Sequence, residues 1–96
     1  MSDDDLTTFR LRLKGEVQGV GFRQWAIAEA NTRKLNGWVR NRGDGSLEIL
    51  ISGPYSAVQD MLKACAQGPE EAQVAKIDIT REDTAPAAGF KRQATL

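Results

Sequence analysis

Residues 9–25 read "FRLRLKGEVQGVGFRQW", and within this stretch the hydrophobic period changes from two to about 3.6. Phe9, Leu11, Leu13 and Val17 share one parity against Arg10, Arg12 and Lys14, which is the pattern of a strand with one buried face. From Phe22 onward, Phe22, Trp25, Ala26, Ile27 and Ala30 are spaced for an alanine-rich helix that runs to about Lys34. The segment "QGVG" joins the two. The chain therefore opens as strand, glycine loop and helix.

Working outward, "GWVRNRGDGSLEILISG" reads as two short strands, Gly37 to Arg42 and Ser46 to Ser52, around an "RGDG" turn in which Asp44 serves the hairpin. Pro54 suits a first helical turn, and Val58, Met61, Leu62 and Cys65 repeat at i, i+3, i+4 and i+7 until Gly68 and Pro69 stop the helix. Ala75, Ile77 and Ile79 alternate with Lys76, Asp78 and Thr80 as a further strand, and beyond "EDTAPAA" the end "GFKRQATL" adds a short last one. The order is βαββαβ plus a terminal strand. Two helices with one apolar stripe each cover one face of a sheet, leaving the other face largely open to water. The fold class is α+β, a ferredoxin-like two-layer sandwich with an antiparallel sheet. It forms one domain over 1–96, with a mobile tail over about 1–6.

Composition narrows the chemistry. Of 96 residues, 41% are hydrophobic and 27% charged, values of an ordinary globular domain, and no apolar run reaches membrane length. The acidic start "MSDDDLTT" lacks the pattern of a secretory signal, so a cytoplasmic protein without a membrane partner is expected. Lys plus Arg and Asp plus Glu are 13 each, so no net field draws in a polyanion and no nucleic-acid partner is expected. A single cysteine, Cys65, lies on a core stripe, and there is no histidine, which excludes Ser-His-Asp and Cys-His catalysis and leaves no Cys/His metal site. The run Asp3, Asp4 and Asp5 reads as a solvated tail. No metal and no cofactor are expected. Trp25 and Trp38 read as packing, and Arg40 and Arg42 as solvated charge on a strand.

The loop carries the functional signal. Backbone N–H groups at a helix N-terminus lack partners and carry partial positive charge, and Gly19 and Gly21 can take positive φ and let a ligand approach the backbone. Such a nest binds anions. Arg23, in the first helical turn, stands at the wrong end of the dipole unless an anion lies beside it, and its fork can hold two phosphate oxygens. A plain glycine turn followed by a surface arginine fits the spacing equally well. The dinucleotide fingerprint and the P-loop both fail here, the first because Gln24 stands where a glycine is needed.

"GEVQGVGFR" and "GWVRNRGDGSLE" together resemble the two signature segments of the acylphosphatases, enzymes that hydrolyse the carboxyl-phosphate bond of acyl phosphates; the resemblance runs from about Phe9 to Ile79 and includes "SGP" before the second helix. It implies that the backbone amides of Gln18, Gly19, Val20, Gly21 and Phe22 bind the substrate phosphate. It further implies that Arg23 grips that phosphate and that Asn41 orients the attacking water. Direct attack by water needs positioning and charge neutralisation more than a covalent helper, so no phosphoenzyme is expected. The implied partner is a small-molecule acyl phosphate; the same cradle should accept inorganic phosphate or sulfate as a competing anion, and a monomer is expected. The sequence departs from the family pattern where "TRKLNGW" puts Arg33 and Lys34 in place of a Leu-Gly pair, and in the poorly matched "GFKRQATL". Two rivals are weighed beside this: a module that binds phosphorylated metabolites without hydrolysing them, and an RNA-binding domain. The second would need stacked aromatics where "SLEILIS" stands.

Overall fold

Alternation in the first strand has a direct structural result. In the computed structural model, which describes residues 5–96, β1 (Leu6–Glu16) buries Leu11 and Leu13 completely and turns Arg10, Arg12 and Lys14 to the other face. Burial of a Leu or Ile side chain contributes roughly 1.5–3 kcal/mol, so the alternate Leu47, Ile49 and Ile51 of β3 (Leu47–Pro54), all fully buried, anchor the middle of the sheet. The remaining elements are α1 (Phe22–Thr32), β2 (Asn36–Asn41), α2 (Tyr55–Gln67), β4 (Gln73–Arg81) and β5 (Phe90–Arg92).

The strands lie in the order β4-β1-β3-β2-β5. β1 pairs antiparallel with β3 and β4, and β2 antiparallel with β3. The fifth strand departs from the expected antiparallel sheet: β5 runs parallel to β2, with Gly37 opposite Phe90 and Val39 opposite Arg92. The linker before it makes this possible, because it carries the chain back across the sheet instead of turning tightly from β4. α1 lies against β2 and β5, α2 against β1, β3 and β4, and the two helices touch. This is the ferredoxin-like arrangement with one strand added.

The outer face differs from the open surface expected of it. Glu48 is only 2% exposed, and Ser46, Leu50 and Ser52 are buried as well. Glu48 Oε2 accepts from Arg10 at 2.7 Å, and its Oε1 accepts from Arg40 at 2.7 Å and Arg42 at 3.2 Å. Arg40 and Arg10 also stack over Trp38, at 4.6 and 5.8 Å from the ring centroid. Burial acts to raise the Glu48 pKa, but the hydrogen bonds from Arg40 and Arg10 outweigh it and hold the carboxyl below its ordinary value. Arg40 and Arg42 are thus structural ion pairs, not solvated charge.

Both ends of the first half show how far local signals reach. Tyr55 N–H donates to the Asp5 carbonyl and Leu6 pairs with Pro54, so β1 begins ahead of Phe9; residues 1–4 of the expected tail, with Asp3 and Asp4, lie outside the described residues. α1 ends at Thr32, and Lys34 takes a left-handed conformation (φ 57). Lys34 N–H donates to Asn31 at 3.1 Å and Leu35 N–H to Ala30 at 2.9 Å, which closes the helix as a Schellman motif. Glycine is the usual residue at that position. Here a lysine occupies it and buried Leu35 packs beyond it. Cys65 is fully buried, and desolvation pushes its thiol pKa up to about 12, so it packs and does not react.

Candidate functional site

β1 and β2 are both antiparallel to the strand between them and therefore run parallel to each other, with α1 as their crossover. That topology brings the C-terminal ends of two strands and the N-terminus of the joining helix to one edge of the molecule. Buried Val17 closes β1 into the core. Gln18 then turns to the β2–β3 hairpin, and its Nε2 donates to the Arg42 and Ser46 carbonyls, each at 2.9 Å. The hairpin is held in turn by Asp44, which accepts from the Ser46 hydroxyl at 2.6 Å and the Ser46 N–H at 2.9 Å. Those two bonds keep the Asp44 carboxyl below its ordinary pKa.

Gly19 (φ 74) and Gly21 (φ 77) are both left-handed, and a side chain on either would meet open space. Their glycines are therefore required by backbone conformation and not by crowding. Gly21 is the helix N-cap, with no side-chain cap bond and no acidic residue in the first turn. Trp25 N–H to the Gly21 carbonyl, 3.1 Å, is the first bond into the helix, so the amides of Phe22, Arg23 and Gln24 have no intrahelical acceptor. Phe22 fixes the orientation of this end: it is 1% exposed and meets Trp25 edge-to-face at 5.2 Å.

These groups enclose a cavity of about 100 Å³ whose wall includes Gln18, Gly19, Gly21, Phe22, Arg23 and Asn41. Six of the residues singled out from sequence thus come together. Val20 does not line the cavity, because its side chain packs against the hydrophobic core. Arg23 is half-buried, and its side chain makes no hydrogen bond or ion pair with any described residue.

Asn41 supplies the sharpest feature. Its backbone is fixed opposite Leu47 and by the Leu96 N–H, which donates to its carbonyl at 3.1 Å. Its side-chain Oδ1 is buried and accepts no hydrogen bond, the one such side-chain atom among the described residues. Leaving a buried acceptor unsatisfied costs about 1–3 kcal/mol, and groups of this kind persist where a ligand or water completes them. The cavity holds no carboxylate in its wall. Its lining combines a helix N-terminus whose first amides lack intrahelical acceptors, a cation and the Asn41 amide, a set of groups that suits a tetrahedral oxyanion with a water beside it.

Arg92 also lines the cavity and was missed in the sequence. Its signal was its parity with Phe90, which becomes informative only once β5 is registered against β2.

The family model described as acylphosphatase matches residues 9–92. An acylphosphatase of Acidiphilium cryptum is 47% identical over 85 residues, covering 88% of this chain and 93% of the relative. One from Azorhizobium caulinodans is 47% identical over 90 residues, covering 93% and 97%. The crystal structure of acylphosphatase from Bacillus subtilis is similar with a TM-score of 0.86 and 39% identity, covering 93% of this chain and 99% of that one.

Proposed function

The chain belongs to the acylphosphatase family, enzymes that hydrolyse the carboxyl-phosphate bond of acyl phosphates, and from that premise we propose which of its residues carry the reaction. The phosphoryl group of the substrate sits in the cavity at the α1 N-terminus, its equatorial oxygens on the amides of the Gln18–Phe22 loop and on the Arg23 guanidinium. Val20, whose side chain turns to the core, contributes its backbone only. The single observation that carries the assignment is that Asn41, whose side-chain Oδ1 is buried and unpartnered, lines the same cavity.

An acceptor there binds a water through one of its O–H groups and leaves a lone pair directed at phosphorus. The water oxygen forms a bond to phosphorus as the bond to the acyl oxygen breaks, and the departing electron pair leaves on the carboxylate. The water's proton passes to a phosphate oxygen, giving a carboxylate and inorganic phosphate. Positioning and charge neutralisation are what phosphoryl transfer requires most, and an acyl phosphate already has a good leaving group. That chemistry needs no histidine, and the chain has none.

Inorganic phosphate and sulfate fit the same cradle and compete with substrate. The test is Asn41→Ala, assayed by phosphate release from acetyl phosphate. We expect kcat to fall by about 10²–10³, the scale for removing one preorganised group at a reacting centre, while the competitive inhibition constant of phosphate changes little. A variant that keeps kcat and loses phosphate affinity would make Asn41 an anion clamp. Wild-type protein that binds phosphate competitively without turning over any acyl phosphate would favour the non-catalytic binding module.

A further inference from the structure

We propose that Arg92 is a specificity residue that favours acyl phosphates whose acyl group carries a second negative charge; this rests on the placement of the phosphoryl group just given. The Arg92 backbone is set by its pairing with Val39 and by the Gln93 N–H, which donates to the Val39 carbonyl at 2.9 Å. Phe90, two residues earlier and on the same face of β5, is buried in the core beneath the helices. Arg92 therefore projects from the helix side of the sheet, at the strand ends where α1 begins, and it lines the cavity with Arg23.

Three observations separate its role from that of Arg23. Arg92 is exposed, whereas Arg23 is half-buried beside the amide nest, so Arg92 stands at the mouth. The cavity measures about 100 Å³, well below the roughly 300–1,000 Å³ of pockets that enclose a whole small molecule. It holds a phosphoryl group, and the acyl part must extend through the mouth past Arg92. Finally, the Arg92 side chain has no hydrogen-bond or ion-pair partner among the described residues and the cavity lining includes no Asp or Glu, so two like charges line one space with no described side chain paired to either. The phosphoryl group answers Arg23 and the helix end. An anionic substituent on the acyl chain answers Arg92.

The experiment compares succinyl phosphate with butyryl phosphate, which match in chain length and differ by a terminal carboxylate. Wild-type protein is expected to show the higher kcat/KM on succinyl phosphate, by a margin that shrinks as salt is raised. Arg92→Gln should lower the succinyl-to-butyryl ratio about threefold to fivefold, the upper range for an exposed ion pair. Arg92→Lys should retain most of the ratio and Arg92→Glu should invert it. A ratio that stays flat across these variants, or a fall shared equally by both substrates, overturns the assignment. Absence of turnover with either substrate in the wild type would defeat the site assignment as well, whereas turnover with a flat ratio defeats only the role of Arg92.

Discussion

The two faces of the sheet hold arginines in opposite conditions. On the outer face Arg10, Arg40 and Arg42 converge on one buried carboxylate, and two of them also stack on Trp38. On the helix face Arg23 and Arg92 share the wall of a small cavity, and their side chains have no partner among the described residues. Residue type alone does not separate the two sets. The difference is satisfaction: charge already answered within the protein stabilises it, and charge left unanswered is available to a ligand.

That contrast breaks most sharply at Arg23. Arg23→Ala is expected to lower kcat/KM for acetyl phosphate by about 10³, the upper scale for a preorganised charge contact. It should at the same time leave the unfolding free energy unchanged or raised by about 0.5 kcal/mol, since a cation is removed from the positive end of a helix dipole. Steady-state kinetics beside urea denaturation would check both parts. A large loss of stability would mean that Arg23 belongs with the outer set.

Glu48→Gln should do the reverse. It leaves three guanidinium groups around a neutral amide, and breaking a buried ion pair of this kind destabilises by about 3 kcal/mol, with kcat within a few-fold of wild type. The pH dependence follows from the lowered Glu48 pKa. A carboxyl whose folded pKa lies below its unfolded value contributes stability that is present above about pH 4.3 and is lost as pH falls through the folded pKa. Acid unfolding of the wild type should therefore steepen below about pH 4, and the steepening should be reduced in Glu48→Gln. Unfolding followed by circular dichroism across that range decides it.

The smallest effect sharpens the contrast away from both arginine sets. Lys34→Gly should stabilise the protein by about 1 kcal/mol, because a side chain in the left-handed region costs roughly 1–2 kcal/mol and the Schellman motif tolerates glycine there. Activity should not change, and a loss of stability would show that Lys34 makes a contact worth more than its backbone strain.

How much of this was legible depended on whether a signal was local. Parity in "FRLRLKGEV", the helix spacing after Phe22, the "RGDG" turn and the paired glycines before Arg23 are local patterns, and they placed the main elements and most of the cavity wall. Arg92 and the Glu48 cluster depend on which residues face each other across strands far apart in sequence. Arg10 meets Glu48 because β1 pairs with β3, and Arg92 reaches the cavity because β5 pairs parallel with β2. Neither register follows from the period of a single strand. The exit of α1 was illegible for another reason: its stop residue is a lysine in a conformation that sequence rules reserve for glycine.

Gln18 spends both N–H groups of its side chain on two carbonyls of the β2–β3 hairpin, so the loop's shape is fixed by the protein and not by whatever enters it. Little ordering entropy then remains to be lost on encounter. Capture of an anion should be limited by diffusion and not by loop closure, with a heat signature free of coupled folding, and phosphate should leave without any segment having to open.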